Sequence, residues 1–220
     1  MKISVSFVAI SLILGLSSVL SSVEPSHMGR RHEPSRRVTM YDNDFLITKW
    51  KIWYKSLDVN HDGTISIDDV EESRIRFSEL HRLEADEKKF AMDSLQIWWN
   101  EFIFRRQTGE ISEQQFVDSL SQEFMADQAK FCTEMLKWFG MIFAVIDTNK
   151  DLSISEDEFL IALNAYGHGD VALNLKFFKA YKPTDGLIHL RDIVISWVDF
   201  VASTNNSAIS IVKEAFEAGV

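Results

Sequence analysis

Apolar residues at three- and four-residue spacing, Trp50, Trp53, Tyr54 and Leu57, form one face of a helix that runs straight into Asp58. The same pattern returns at Phe139, Ile142, Phe143 and Ile146, which lead into Asp147, and again at Phe159, Ala162, Leu163 and Tyr166 beyond it. Phe177 precedes a further polar break containing Asp185-Gly186, and Ile193, Trp197 and Phe200 follow that break. The pattern predicts an all-α chain of helix–loop–helix units, with short extended segments only where two loops meet.

The breaks carry the chemistry. Asp58-Val59-Asn60-His61-Asp62-Gly63-Thr64-Ile65-Ser66-Ile67-Asp68-Asp69 places oxygen donors at the spacing that wraps a calcium ion. Asp58, Asn60 and Asp62 stand at the first, third and fifth positions. Thr64 offers its carbonyl at the seventh, Ser66 serves at the ninth directly or through water, and Asp69 closes the sphere at the twelfth. Gly63 meets the sharp turn at the sixth, because a residue with a Cβ enters left-handed backbone space only at a cost. A second loop repeats the set with Asp147, Asn149, Asp151, Ser153, Ser155 and a closing Glu158. Leu152 stands at its sixth position. Binding there requires a left-handed leucine, costing roughly 1 kcal/mol or more, or an altered loop.

Loops of this kind pair through their eighth positions, here Ile65 and Ile154, so partners are expected. Gly109 and Ile111 fit the sixth and eighth positions of a loop over 104–115, but Phe104, Arg106 and Thr108 cannot chelate. Gly186 and Ile188 fit a loop over 181–192, where Tyr181 and Pro183 remove the first two donors. The expected architecture is four EF-hands in two pairs over 41–220, joined by short two-stranded β-links, with the first and third binding ions. In these features the chain resembles the sarcoplasmic calcium-binding protein family, whose relatives include calcium-regulated photoproteins and luciferin-binding proteins. The resemblance covers about Phe45 to Val220. It rests on four hands with a variable active subset, a wide gap between the first two loops, many aromatic residues, and Asp closing the first loop. It implies a compact domain and, through the luciferin-binding relatives, an apolar molecule as a second class of ligand.

The N-terminus changes the expected location. Lys2 precedes an apolar run from Ile3 to Leu20, with Ser21 and Ser22 before Glu24-Pro25, which reads as a secretory leader over 1–22. An uncleaved anchor is the competing reading, since the run is close to spanning length. Residues 23–40 hold Arg30-Arg31 and Arg36-Arg37 without apolar periodicity and are expected to be a disordered basic arm: a solvated linker, a processing site, or a contact for an anionic surface. With the leader removed, no stable membrane insertion is expected.

Beyond residue 40 the chain carries 18 basic and 31 acidic residues, a formal charge of −13, which argues against nucleic acid as a partner. The single cysteine, Cys132, excludes an internal disulfide and is expected to be a buried small hydrophobe, with an intermolecular bridge as the alternative. Asn205-Asn206-Ser207 is a glycosylation acceptor if the chain is secreted.

Three classes of function fit these features. The first is a secreted, non-catalytic calcium binder: a buffer, a carrier, or a component of a calcified extracellular matrix. The second is a calcium-dependent carrier of an apolar small molecule, suggested by the resemblance and by Trp98, Trp99, Phe102, Phe104, Trp138, Phe139, Phe143 and Trp197. The third, a photoprotein-like enzyme, has only His168 and His189 as candidates, and neither sits in a recognisable catalytic setting. The first reading is expected, with two calcium ions, and with magnesium also accepted at the first site because Asp69 is one methylene shorter than Glu. The oligomeric state is left open by the sequence.

Overall fold

The computed structural model describes residues 40–105 and 109–220. The expected leader, the arm up to residue 39, and Arg106 and Thr108 of the second loop lie outside the described residues.

Helix α1 (Met40–Leu57) leads into the first loop and α2 (Ile67–Leu80) follows it. Helix α3 (Ala85–Trp98), extended by a π-helical turn over Trp99–Ile103, leads into the second loop, and α4 (Glu113–Ala126) follows. Helix α5 (Gln128–Ile146) leads into the third loop, which passes through β1 (Ser153–Ser155) into α6 (Glu156–Ala165). Helix α7 (Val171–Ala180) leads through the fourth loop and β2 (Leu187–His189) into α8 (Leu190–Ala202), and α9 (Ile211–Glu217) ends the chain.

The helices that follow the first three loops start where the sequence supplies a capping box: Ser66 with Asp69, Ser112 with Gln115, Ser155 with Glu158. In each box the hydroxyl accepts an orphan backbone N–H while the side chain three residues on reaches back to the cap. The ninth and twelfth loop positions therefore nucleate a helix whether or not they meet an ion.

The loops pair as their eighth positions predict. Ile154 faces Ile188 in an antiparallel β1–β2 ladder, with Ser153 opposite His189 and Ser155 opposite Leu187. The first pair departs from a two-stranded link. Ile65 and Ile111 exchange both N–H···O bonds, at 3.2 and 2.8 Å, but form one isolated bridge. The Tyr54 hydroxyl lies 2.8 Å from Ile111 O, which already accepts from Ile65 N–H within the bridge, and 3.1 Å from Gly63 O beside it.

Both pairs share one core. Trp53 on α1 packs against Phe102, Phe116 and Phe139 with centroids 5.2 to 5.5 Å apart, joining the leading helices of three hands. Trp50 Nε1–H donates to Val201 O at 2.9 Å, and the buried Lys49 Nζ donates to Ser203 O, so α1 also caps the end of α8. Cys132 corrects the sequence expectation. It is only half-buried, because the core-facing stripe of α5 runs through Phe131, Met135, Phe139 and Ile142 and leaves the next residue on the flank. Among the described residues no helix is long and apolar enough to cross a membrane.

Candidate metal centres

The first loop is wound by its own backbone amides. Asp58 accepts from Asp62 N–H (Oδ1, 3.1 Å) and Gly63 N–H (Oδ2, 2.9 Å), while Asn60 Oδ1 accepts from Asp62 N–H at 3.0 Å. Asp62 Oδ1 accepts from the N–H and hydroxyl of Thr64, both at 2.9 Å. The closing Asp69 spans the loop: Oδ1 accepts from Val59 N–H at 2.7 Å and Asn60 N–H at 3.3 Å, and Oδ2 from Ser66 N–H at 2.7 Å. Gly63 sits at φ +94 as the turn requires.

The second candidate loop copies this arrangement. Asp147 accepts from Asp151 N–H (3.1 Å) and Leu152 N–H (3.0 Å), and Asn149 Oδ1 accepts from Asp151 N–H at 3.0 Å. Asp151 Oδ1 accepts from Ser153 N–H at 2.9 Å. Glu158 holds the loop's start through Thr148 N–H and hydroxyl (2.9 Å each) and its end through Ser155 N–H (3.0 Å) and hydroxyl (2.8 Å). Leu152 adopts the left-handed turn, at φ +64, with its side chain half exposed.

Electrostatics separate the carboxylates. Burial raises the Asp69 pKa above its ordinary value, against the amides of Ser66, Asn60 and Val59. Burial also raises Asp147, against the amides of Leu152 and Asp151. For Glu158 burial again pushes upward, but its bonds from Ser155 and Thr148 together outweigh it, and the carboxyl lies below its usual range. Asp62 is fully exposed and is held low by the Thr64 amide and hydroxyl and by Asn60.

Both loops thus gather oxygen donors only, which suits a hard cation such as calcium or magnesium. Among the described residues no three His, Cys, Asp or Glu side chains by themselves meet in ion-holding geometry.

In the other two loops the first position is taken up by packing. Phe104, in the first position of its loop, is buried, and Arg105 beside it pairs with Glu123 at 2.6 Å. Tyr181 packs on Phe159 and Phe177, with its hydroxyl 3.3 Å from Ser196 Oγ. His168 Nε2 lies 3.2 Å from Ser56 O and its ring packs on Phe216, while His189 precedes α8 at the surface. One functional contact had no signal in the spacing of donors: Thr148, at the second position, supplies two of the four hydrogen bonds to Glu158.

No family model matches the chain. A sarcoplasmic calcium-binding protein of Mizuhopecten yessoensis is 46% identical over 175 residues, covering 79% of this chain and 99% of that protein. The chain belongs to the sarcoplasmic calcium-binding protein family. A member from Perinereis vancaurica tetradentata is 29% identical over 126 residues, 57% of this chain and 71% of that protein. Among solved structures, the coelenterazine-binding protein from Renilla muelleri superposes with a TM-score of 0.64 at 20% identity, covering 81% of this chain and 97% of that one. The amphioxus sarcoplasmic calcium-binding protein gives 0.52 at 19% identity, covering 79% and 96%. At these identities the likeness concerns the fold. Membership in the family makes this chain a calcium-binding protein, and the named sequence relatives are binding proteins rather than enzymes.

Proposed function

We propose that this family member is a secreted calcium binder without chemistry of its own, holding one ion in 58–69 and one in 147–158. The ligands are Asp58, Asn60, Asp62, Thr64, Ser66 and Asp69 in the first, and Asp147, Asn149, Asp151, Ser153, Ser155 and Glu158 in the second. The observation that carries the reading is the matching amide framework that holds both the leading and the closing carboxylate of each loop. Millimolar extracellular calcium would keep even modest sites filled, so a constitutive store, buffer or calcified-matrix component suits that location better than a switch. Secretion rests on the apolar leader over 1–22.

Calorimetric titration of calcium and magnesium tests the ion assignment: two calcium ions per chain, with Asp58→Ala and Asp147→Ala each removing one. Four ions would restore the second and fourth loops as sites, and one would remove a proposed site. Expression in a secreting eukaryotic cell tests location. The chain should reach the medium shortened near Ser21 or Ser22, and Asn205, exposed in the loop before α9, should carry a glycosidase-sensitive mass. Retention of the protein inside the cell would overturn secretion.

A second reading is favoured by a cavity of about 80 Å³ lined by Trp53, Trp98, Phe139, Tyr166, His168 and Trp197. The buried Tyr166 hydroxyl has no hydrogen-bond partner, an arrangement that costs free energy unless something accepts from it. At this volume the cavity takes only a few heavy atoms, so a larger apolar molecule with an acceptor group would have to widen it on entry. Organic extraction of the purified protein followed by mass spectrometry tests this reading, and an empty extract counts against it. Light emission on adding calcium after incubation with a luciferin would overturn the non-catalytic assignment.

A further inference from the structure

Helix α1 is fastened by its middle to the end of α8. Trp50 Nε1–H donates to Val201 O at 2.9 Å and Lys49 Nζ to Ser203 O, while Ser203 N–H donates to Asp199 O at 2.9 Å, one turn back along α8. Beside that junction a groove of about 350 Å³ opens between α8 and the residues that enter α9. Asp192, Ile195 and Asp199 line it from α8, and Ile209 and Ile211 from the other side. Ile209 is 78% exposed, more than any other large apolar side chain among the described residues, and Ile195 is 44% exposed. A single exposed apolar residue is ordinary, but two that line one groove leave an apolar strip open to water.

The groove also leaves charge open. Asp192 pairs with the neighbouring Arg191 at 3.1 Å. Asp199 is exposed, its charge acts on the buried Lys49, and no hydrogen bond or ion pair among the described residues uses its carboxylate. The segment that leads into α1 carries the opposite sign. Arg30-Arg31-His32-Glu33-Pro34-Ser35-Arg36-Arg37-Val38-Thr39 sets four Arg against one Glu, whereas residues 41–220 have a formal charge of −13. Its reach is sufficient. Met40 stands nine residues before Lys49, about 13 Å of helix, and an extended chain covers about 13 Å from Met40 back to Arg36. Arg36 and Arg37 can therefore return to the level of Lys49 and Asp199. Arg30 and Arg31 add about 20 Å of chain, ample for the roughly 10 Å that separate Asp199 from Asp192 along α8.

We propose that residues 30–39 dock in this groove of their own chain, with Arg36 and Arg37 at Asp199 and Val38 against Ile195 and Ile209. Exposed ion pairs are individually weak. A short tether, however, holds the segment at millimolar effective concentration, so a contact too weak to join two molecules fills an intramolecular seat. Docking withdraws the Arg36-Arg37 pair from proteases and from anionic surfaces, and it covers Ile209, which otherwise offers an apolar contact to a second copy. The seat does not involve the ion loops, so its failure leaves the calcium reading untouched.

Timed digestion of the full chain with an arginine-specific protease, read by mass spectrometry, tests the seat. Cleavage after Arg36 and Arg37 should be about fivefold or more faster in Asp199→Lys and in Ile209→Ser than in the wild type, because opening of the docked state limits the wild-type rate. Cleavage after Arg82, exposed in the turn between α2 and α3, should keep one rate in all three. A charge swap completes the test. Arg36→Glu/Arg37→Glu should speed cleavage after Arg30 and Arg31, and adding Asp199→Lys to it should slow that cleavage again. Equal rates after Arg36 and Arg37 in the wild type and both groove variants overturn the docking. Wild-type rates that fall as protein concentration rises assign the groove to the arm of a second copy and overturn the intramolecular seat. Should a groove variant also quicken cleavage after Arg82, the charge swap decides alone: restored protection supports the seat, and continued rapid cleavage overturns it.

Discussion

Leu152 is one of three non-glycine residues at positive φ in the candidate ligand loops, with His61 and Lys150. At φ +64 it adopts the turn normally given to glycine, and its half-exposed side chain recovers little of that cost by packing. Left-handed strain for an L-residue is about 1–2 kcal/mol, and a glycine there would give back about 0.4–1 kcal/mol through the looser unfolded chain. Leu152→Gly should therefore raise stability by up to about 1.6 kcal/mol, seen as a higher midpoint of urea unfolding at saturating calcium. A lower midpoint would mean that the leucine side chain contributes through contacts with its neighbours. Asp69 offers a second residue-level test. Its shorter arm should close the sphere with a single oxygen, which suits magnesium's six close ligands, whereas Glu158 can offer both oxygens to calcium. Asp69→Glu should shift the first site's preference toward calcium, and an unchanged magnesium-to-calcium affinity ratio would refute the mechanism.

Among the elements, the β-links show how two loops become one unit. Ile154 and Ile65 are fully buried at the centre of the two links, each opposite an isoleucine from a loop that has lost its leading donors. The second and fourth hands thus act as packing partners for the other two, with Phe104 and Tyr181 buried or packed at the position where the other two loops begin with an aspartate. Ile154→Ala should cost about 2–4 kcal/mol by transfer and cavity formation. Urea unfolding would read that loss, and calcium affinity at the third hand should fall with it because the strand that carries Ser153 and Ser155 is no longer held. A loss below about 0.5 kcal/mol would show that the loop collapses onto the gap.

At the scale of the molecule, α1 ties the first hand to the last through Trp50 and Lys49. Burial pulls the Lys49 ammonium down to about 8 from its ordinary value, Asp199 opposing and Lys213 reinforcing the shift. A lysine whose folded pKa is depressed carries a cost that is fully present below the folded value and is relieved as pH rises from there toward the unfolded value. In that window the unfolded chain binds more protons, so stability increases with pH. The urea midpoint should rise between about pH 8 and pH 9.5, before tyrosines begin to ionise. Lys49→Met should flatten this rise, and an equal slope in the variant would assign it to another group.

The sequence by itself determined what depends on spacing along the chain. Asp58 to Asp69 and Asp147 to Glu158, the apolar faces leading into them, the capping boxes and the eighth-position isoleucines are all local patterns, and backbone geometry turns them into the same hand wherever they occur. The packing of Phe104 and Tyr181 at the head of the second and fourth loops was legible for the same reason, since both are large apolar or aromatic residues standing where the other two loops begin with an aspartate. Tertiary structure alone decided what depends on distant surfaces meeting. The first link is a single bridge whose Ile111 carbonyl also accepts from the Tyr54 hydroxyl, the core stripe of α5 leaves Cys132 on its flank, and Thr148 grips Glu158 across the loop. The approach of Gly167 to Val59 joins residues more than a hundred positions apart. No periodicity encodes such a contact, because it follows from how α2 and α6 pack once four hands have been brought around one aromatic core.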